Sequence, residues 1–140
     1  MTQSLVIDAS LILKTVLPNE HQNKCQQLMT AWQKANYQFF APTLWLYEII
    51  SAITKAIHFD MLTVEEGQHA LTLVQKLNIQ LILPDDNLTQ SAFEWTLRLK
   101  RAVAYDSFYL ALAESLQVEF WTADKRLYNS VNNDWVHYIE

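Results

Sequence analysis

Short apolar runs alternate with longer helical patterns along almost the whole chain, and this alternation limits the folds that it can adopt. The helical patterns repeat apolar residues at spacings of three and four, as amphipathic helices do. Strands that alternate with helices in this way predict a parallel sheet covered by helices on both faces. The predicted strands are residues 4–8, 37–41, 79–83 and 118–122, with a possible fifth at 136–139. The predicted helices are residues 11–17, 20–35, 42–57, 63–77, 85–101 and 105–116.

Length and composition exclude several classes of protein. The 140 residues fit a single domain, residues 1–140. No long uncharged apolar run predicts a membrane span, and the first ten residues lack the basic start of a signal peptide. Cys25 is the one cysteine, which excludes an internal disulfide and favours a reducing cytoplasm. Gly67 is the one glycine, which excludes the glycine-rich loops that bind nucleotides.

Two of the predicted strands have an acidic residue at or just beyond their carboxyl ends. The first strand ends on Asp8, and Asp124 comes two residues after the end of the fourth. Ligands of open α/β sheets bind at the carboxyl ends of the strands, and right-handed crossovers bring those ends to one edge. We therefore expect Asp8 and Asp124 to lie close together although they are far apart in the chain.

Each acidic candidate also has an ordinary structural explanation. Asp8 and Asp124 can cap the helices that follow them, and Asp106 suits the first turn of the helix at 105–116. Glu48 can reach water from the edge of an apolar helix face. These explanations do not account for the occurrence of four acids at the ends or edges of apolar elements.

A cluster of four carboxylates requires a counter-charge. Two such charges about 5 Å apart repel each other by roughly 3 kcal/mol at an effective dielectric constant near 20. Mg²⁺ or Mn²⁺, which prefer oxygen ligands, would relieve this repulsion, whereas no histidine spacing indicates zinc. Such a site would also explain much of the net charge of −5, which has the wrong sign for a simple nucleic-acid-binding domain.

Basic residues near the predicted site are candidates for contacts with phosphates. Lys125 and Arg126 directly follow Asp124, and Lys14 and Lys55 lie on predicted helices that start near the acidic edge. We interpret the pair at positions 100 and 101 as a solvated helix end, because cations are favourable at helix C-termini.

Four segments together resemble the signature segments of PIN-domain nucleases, in the same order. They are "VIDAS", "PTLWLYEIISAI", "AYDSFYLALAE" and "FWTADKRL", and they span residues 6–127. The resemblance is greatest to the VapC-type toxins of prokaryotic toxin–antitoxin pairs. It implies a three-layer α/β/α sandwich around a mainly parallel sheet of four to five strands. The implied catalytic and metal-binding residues are Asp8, Glu48, Asp106 and Asp124, supported by hydrogen bonds from Ser10 and Thr122.

The resemblance also implies an activity and partners. The activity is metal-dependent endoribonuclease cleavage of RNA phosphodiester bonds, with Mg²⁺ or Mn²⁺ as the cofactor. The expected partners are an RNA substrate, a small antitoxin protein and a second copy of the chain. Apolar surface at Trp32 or Trp135 would be compatible with a homodimer.

Two other functions are compatible with the same residues. The first is a PIN-like binding module with weak or no catalytic activity. The second is an aspartate-based phosphotransfer enzyme, since an aspartate after the first strand also suits a phospho-aspartate intermediate. The segment "DAS" lacks the second aspartate that haloacid-dehalogenase-like enzymes carry two residues further on, which counts against the second alternative.

Overall fold

The computed structural model describes residues 2–139 and contains one five-stranded sheet. The strands lie in the order β3-β2-β1-β4-β5, and every neighbouring pair is parallel. Their bounds are β1 Ser4–Ile7, β2 Gln38–Pro42, β3 Gln80–Ile82, β4 Glu119–Thr122 and β5 Val136–Tyr138. The predicted α/β fold is confirmed, and the fifth strand is present. The single domain over residues 1–140 stays a prediction, and Met1 and Glu140 lie outside the described residues.

Seven helices in the described part of the chain surround the sheet. They are α1 Ala9–Val16, α2 Gln22–Lys34, α3 Leu44–His58, α4 Val64–Lys76, α5 Asp86–Leu99, α6 Tyr105–Leu116 and α7 Lys125–Val131. Helix α1 packs against α2, α3 and α4, whereas α5 packs against α6, which lies on β1, β2 and β4. The result is the predicted three-layer α/β/α sandwich.

The strand order reverses beside β1, and this reversal creates a place for a site. From β1 the chain adds β2 and β3 on one side, and then returns to add β4 and β5 on the other. The helices that follow β1 and β4 therefore leave the sheet in different directions. A crevice opens between the carboxyl ends of two such strands, which is where open α/β sheets bind ligands.

Side chains at the predicted helix starts accept hydrogen bonds from the first backbone N–H groups. Thr63 and Glu66 form a reciprocal capping box at α4, with N–O distances of 3.0 and 2.8 Å. Asp85 caps α5 by accepting from the Leu88 N–H at 2.8 Å. Asp8 and Asp124 also cap helices, α1 and α7. The capping role expected for these two aspartates is therefore confirmed, and it does not exclude a further role in a site.

The core is centred on β1 and β4, which are apolar because helices cover both of their faces. Val6, Ile7 and Phe120 have no exposed surface. Trp32 of α2 is also buried and meets Trp121 edge-to-face at 5.1 Å between ring centroids. Trp32 therefore does not provide the exposed apolar surface that the sequence analysis offered for a homodimer.

No helix within residues 2–139 is both long enough and apolar enough to cross a bilayer.

The chain ends several helices in left-handed backbone conformation without using glycine. Three of these positions are asparagines, but Gln117 (φ 56°) at the end of α6 has no such adaptation. A residue with a Cβ atom in this region costs roughly 1–2 kcal/mol. The connection from α6 to β4 therefore contains local strain.

We predict that Gln117→Gly stabilises the protein by up to about 1 kcal/mol, because glycine removes this strain while the exposed Gln117 side chain contributes little packing. Chemical denaturation measures the change. Gln90→Gly, within α5, is the matched control and should destabilise by about 1 kcal/mol, since the backbone there is helical. Equal effects of the two substitutions would contradict the assignment of strain to position 117.

Candidate active site

The four predicted acids line one cavity at the carboxyl edge of the sheet. Asp8, Glu48, Asp106 and Asp124 all face this cavity, which has a volume of about 380 Å³. Asp8 comes from the end of β1 and Asp124 from the end of β4, while α3 supplies Glu48 and α6 supplies Asp106. The fold thus brings together residues that the sequence separates by more than a hundred positions.

Asp8 is held by two hydroxyl groups from different elements. The Thr122 hydroxyl donates to Asp8 Oδ2 at 2.6 Å, and the Ser10 hydroxyl donates to the same oxygen at 2.9 Å. Each hydroxyl also accepts a backbone N–H, from Asp124 at 3.0 Å and from Ala123 at 3.1 Å. The two supporting residues therefore connect the end of β1 to the end of β4, with every hydroxyl hydrogen in use.

Asp124 caps α7 with only one of its oxygens. Its Oδ1 accepts from the N–H groups of Arg126 and Leu127, at 3.0 and 3.2 Å. Because the cap does not use Oδ2, the same side chain can fix the helix start and present its second oxygen to the cavity. The capping and site roles of Asp124 are therefore compatible.

Glu48 is oriented by a residue that the sequence analysis did not identify. The Tyr109 hydroxyl donates to Glu48 Oε1 at 2.7 Å, although Tyr109 itself is fully buried. Burial and the nearby carboxylates raise the pKa of Tyr109, so it remains a donor. Tyr109 follows Asp106 by three residues and so shares its helix face, a spacing that was visible in the sequence.

Asp106 is paired with Arg101, which corrects one interpretation from the sequence. Arg101 Nη1 donates to Asp106 Oδ2 at 3.1 Å, and each side chain is 27% exposed. The interpretation of positions 100 and 101 as a solvated helix end is therefore wrong for Arg101. The helix α5 ends at Leu99, and the left-handed turn at Lys100 directs the chain back toward the start of α6.

Burial and mutual repulsion weaken the acidity of three of these carboxyls. Burial raises the pKa of Asp8 to about 6, opposed by its hydroxyl donors and increased by Asp106. Burial also raises the pKa of Glu48 to about 7, with further increases from Asp8 and Asp106. The pKa of Asp106 is raised by burial and by Asp124, and lowered by Arg101. The four acids thus behave as one electrostatically coupled group.

The donor chemistry of the cavity fits a hard divalent cation. All four groups are carboxylates, and each places its strong hydrogen bonds or ion pair on a single oxygen. Within residues 2–139 the remaining oxygens accept nothing closer than the Ser10 N–H, 3.4 Å from Asp8 Oδ1. However, no three acids, histidines or cysteines of the described chain are already arranged as a ligand group. The four carboxylates therefore share one cavity in the cation-free protein without forming a preformed ligand group.

The predicted phosphate-binding residues occupy different positions relative to the cavity. Lys125 and Arg126 are exposed at the start of α7, directly beside Asp124. Lys55 lines the cavity, whereas Lys14 does not. The contacts of these residues with phosphates stay a prediction.

A larger cavity of about 840 Å³ lies at the opposite, amino edge of the sheet. Its two carboxylates already have partners, since Glu114 accepts from Trp95 Nε1 at 3.2 Å and Glu119 from Trp121 Nε1 at 3.3 Å. It lacks the convergent acids that distinguish the smaller cavity, so size alone does not identify the site.

The fold and the site assign the chain to a class, the α/β/α sandwich proteins with clustered carboxylates at the carboxyl edge of a parallel sheet. Comparisons with known proteins identify the family. The family model described as PIN domain matches residues 5–131. The chain therefore belongs to the PIN-domain family, as its sequence motifs predicted. No curated protein gives a significant match.

Solved structures share the fold over nearly the whole chain. VapBC2 from Rickettsia felis, bound to a promoter DNA fragment, matches with a TM-score of 0.72 and 13% identity, covering 98% of this chain and 100% of that one. A toxin-antitoxin complex from Klebsiella pneumoniae matches with a TM-score of 0.68 and 13% identity, over 94% of each chain. VapC20 of Mycobacterium tuberculosis, described as a Sarcin-Ricin loop cleaving toxin, matches with a TM-score of 0.65 and 11% identity, covering 86% and 89%. At these identities the likeness shows a common fold.

We predict that Asp8 makes the stability of the cation-free protein depend on pH. Its pKa is raised in the folded state from 3.8 to about 6, so the stability it contributes is present at low pH and is lost as the pH rises through 6. In EDTA, the difference in unfolding free energy between wild type and Asp8→Asn should fall by about 1.4 kcal/mol from pH 5 to pH 8.

Chemical denaturation at the two pH values checks this difference. Asp134→Asn is the control, because Asp134 is exposed and lies before β5, away from the cavity. A pH-independent difference for Asp8→Asn would mean that the carboxyl is not destabilised by its burial.

Proposed function

We propose that the protein is a metal-dependent endoribonuclease, acting as the toxin of a toxin–antitoxin pair. The observation that carries this proposal is the convergence of four coupled carboxylates on one cavity at the strand reversal of a PIN-domain sheet. Solved complexes of toxins with antitoxins share the fold, which supports the same class of activity. The cytoplasm is the compartment that we propose for it.

Mg²⁺ or Mn²⁺ is the proposed cofactor, held by Asp8, Asp106 and Asp124, with Glu48 as a further ligand or as the group that orients the attacking water. A divalent cation held there would lower the pKa of a bound water and would stabilise the charge that develops on the phosphate. The chain itself prepares the ligands. Ser10 and Thr122 fix the rotamer of Asp8, and the cap fixes that of Asp124.

Tyr109 positions Glu48 in this proposal. Its hydroxyl holds Oε1, which leaves Oε2 to face the cavity or a water molecule. Burial, with Asp8 and Asp106, raises the pKa of Glu48 to about 7 in the cation-free protein, and a bound cation would lower it again, so that Glu48 would be a carboxylate able to accept a proton. This property suits a general base that takes a proton from water.

RNA is the proposed substrate, with single-stranded or loop segments favoured because their bases are accessible. Lys55 lines the cavity, and Lys125 and Arg126 stand exposed beside Asp124. These cations provide phosphate contacts around an acidic centre, which offsets the overall negative charge. One protein with this fold is described as cleaving the Sarcin-Ricin loop, which is compatible with a loop substrate.

We predict that the protein cleaves an unstructured RNA in Mg²⁺ or Mn²⁺ and that EDTA abolishes the cleavage. Asp8→Asn and Asp124→Asn should each reduce kcat by at least about a hundredfold, because the neutral amide is a poor ligand for a hard cation. Asparagine caps helices as well as aspartate does, so both variants should keep their helix starts. Gel analysis of the RNA products measures the cleavage.

Asp134→Asn, an exposed acid at the amino end of β5, is the matched control and should retain full activity. Cleavage that survives both Asp8→Asn and Asp124→Asn would show that the assigned site is wrong. A well-folded wild type that binds no Mn²⁺ in calorimetry would instead indicate a non-catalytic binding module. A trapped phospho-aspartate at Asp8 would indicate phosphotransfer chemistry.

We also predict that expression of the wild-type chain alone arrests the growth of a bacterial host and that Asp8→Asn relieves the arrest, because the proposed toxicity requires cleavage. Colony counts after induction measure the effect. Co-expression of a small protein encoded beside this chain should restore growth if the proposed antitoxin partner exists. Equal toxicity of wild type and Asp8→Asn would contradict a nuclease toxin.

A further inference from the structure

Arg101 contacts Asp106, one of the acids that line the cavity, and its guanidinium bonds to two helices. Its Nη1 donates to Asp106 Oδ2 at 3.1 Å, in the first turn of α6. Its Nη2 donates to Ser130 Oγ at 3.2 Å, near the end of α7. The guanidinium therefore bridges α6, which carries Asp106 in its first turn, and α7, which begins directly after Asp124.

The backbone directs Arg101 toward this position. The Lys100 residue adopts left-handed conformation after α5, and the Arg101 N–H donates back to the Thr96 carbonyl at 3.2 Å. Arg101 is five positions before Asp106 in the sequence, and this turn brings its side chain within hydrogen-bonding distance of the Asp106 carboxylate. The contact is thus a consequence of the α5–α6 connection rather than of a freely moving side chain.

The position of Arg101 conflicts with the proposed cation site. A divalent ion on the free Oδ1 of Asp106 would repel the guanidinium that holds Oδ2 of the same carboxylate. When the ion binds Asp106, it neutralises much of the charge on that carboxylate, which weakens the hold of the carboxylate on the guanidinium. The planar donors of arginine fit a phosphate as well as a carboxylate, and the side chain is partly exposed. An RNA phosphate is therefore the natural new partner.

We propose that Arg101 is a built-in counter-ion of the acidic cavity, which gives up Asp106 when a divalent cation binds and then binds a phosphate of the RNA. This inference rests on the proposed function. It assigns two successive partners to one side chain: in the resting protein Arg101 competes with the cation, and in the loaded protein it contributes to substrate binding.

The first test measures the affinity for Mn²⁺ alone, by calorimetry in the absence of RNA. Arg101→Gln should bind Mn²⁺ about fivefold more tightly than wild type, because the cation no longer displaces the guanidinium. Arg98→Gln removes the same charge from α5 but lies over the Trp95 ring, at 4.3 Å, and does not contact the acids. This control should leave the affinity within about twofold.

The second test measures RNA binding in the loaded enzyme. At saturating Mn²⁺, Arg101→Gln should raise KM for a short single-stranded RNA several-fold while kcat changes little. The slope of log(kcat/KM) against log[salt] should become shallower by about 0.7, as expected for one lost contact with a single-strand phosphate. Arg98→Gln should change neither quantity.

A third variant tests the same contact without removing the arginine, so that the test does not depend on the folding of Arg101→Gln. Ser130→Ala keeps the charge and removes only the second hydrogen bond of the guanidinium. It should also tighten Mn²⁺ binding, by a smaller factor, and leave KM for RNA unchanged.

The combined results separate this inference from the proposed function. Unchanged or weaker Mn²⁺ binding by both Arg101→Gln and Ser130→Ala, with wild type binding normally, overturns the role of Arg101 alone. Tighter Mn²⁺ binding by Arg101→Gln, with no change in KM or in the salt dependence of kcat/KM, would contradict the proposed binding of Arg101 to an RNA phosphate. A wild type that neither binds Mn²⁺ nor cleaves RNA overturns both proposals together.

Discussion

The hydrogen bonds from Thr122 and Ser10 to Asp8 are the interaction on which the rest of the site depends. Asp8 is only 4% exposed, at the end of a central strand with helices on both sides. A carboxylate in that place is costly without donors, and two hydroxyls from different elements provide them. Because the same hydroxyls accept N–H groups at the end of β4, the support for Asp8 also fixes the backbone that presents Asp124.

Each carboxylate of the cavity combines a structural contact with an available oxygen. Two hydroxyls hold Asp8, a helix cap holds Asp124, a tyrosine holds Glu48, and an arginine holds Asp106. Such contacts orient the side chains but remove neither the cost of burying them nor their mutual repulsion, and these two effects raise the pKa values of Asp8, Glu48 and Asp106. The fold therefore holds several negative charges unfavourably close together. A bound cation would relieve this repulsion, and the relief would favour its binding.

Much of this arrangement could be predicted from the sequence because its causes are local. The apolar runs predicted the strands, the capping residues predicted the helix starts, and the parallel connection predicted that Asp8 and Asp124 lie on one edge. Side-chain contacts between distant elements could not be predicted in the same way. The pairing of Arg101 with Asp106 depends on the left-handed turn at Lys100, and that of Tyr109 with Glu48 depends on how α6 packs near α3.

The central claim is that the four carboxyls form one coupled site whose protons a divalent cation displaces. Calorimetry of Mn²⁺ binding in two buffers with different ionisation enthalpies counts the protons released. Since the pKa values of Asp8 and Glu48 are about 6 and about 7, roughly one proton or more should leave per bound cation at pH 6, and almost none at pH 8.5. Binding with no proton release at pH 6, or no binding at either pH, would contradict the claim.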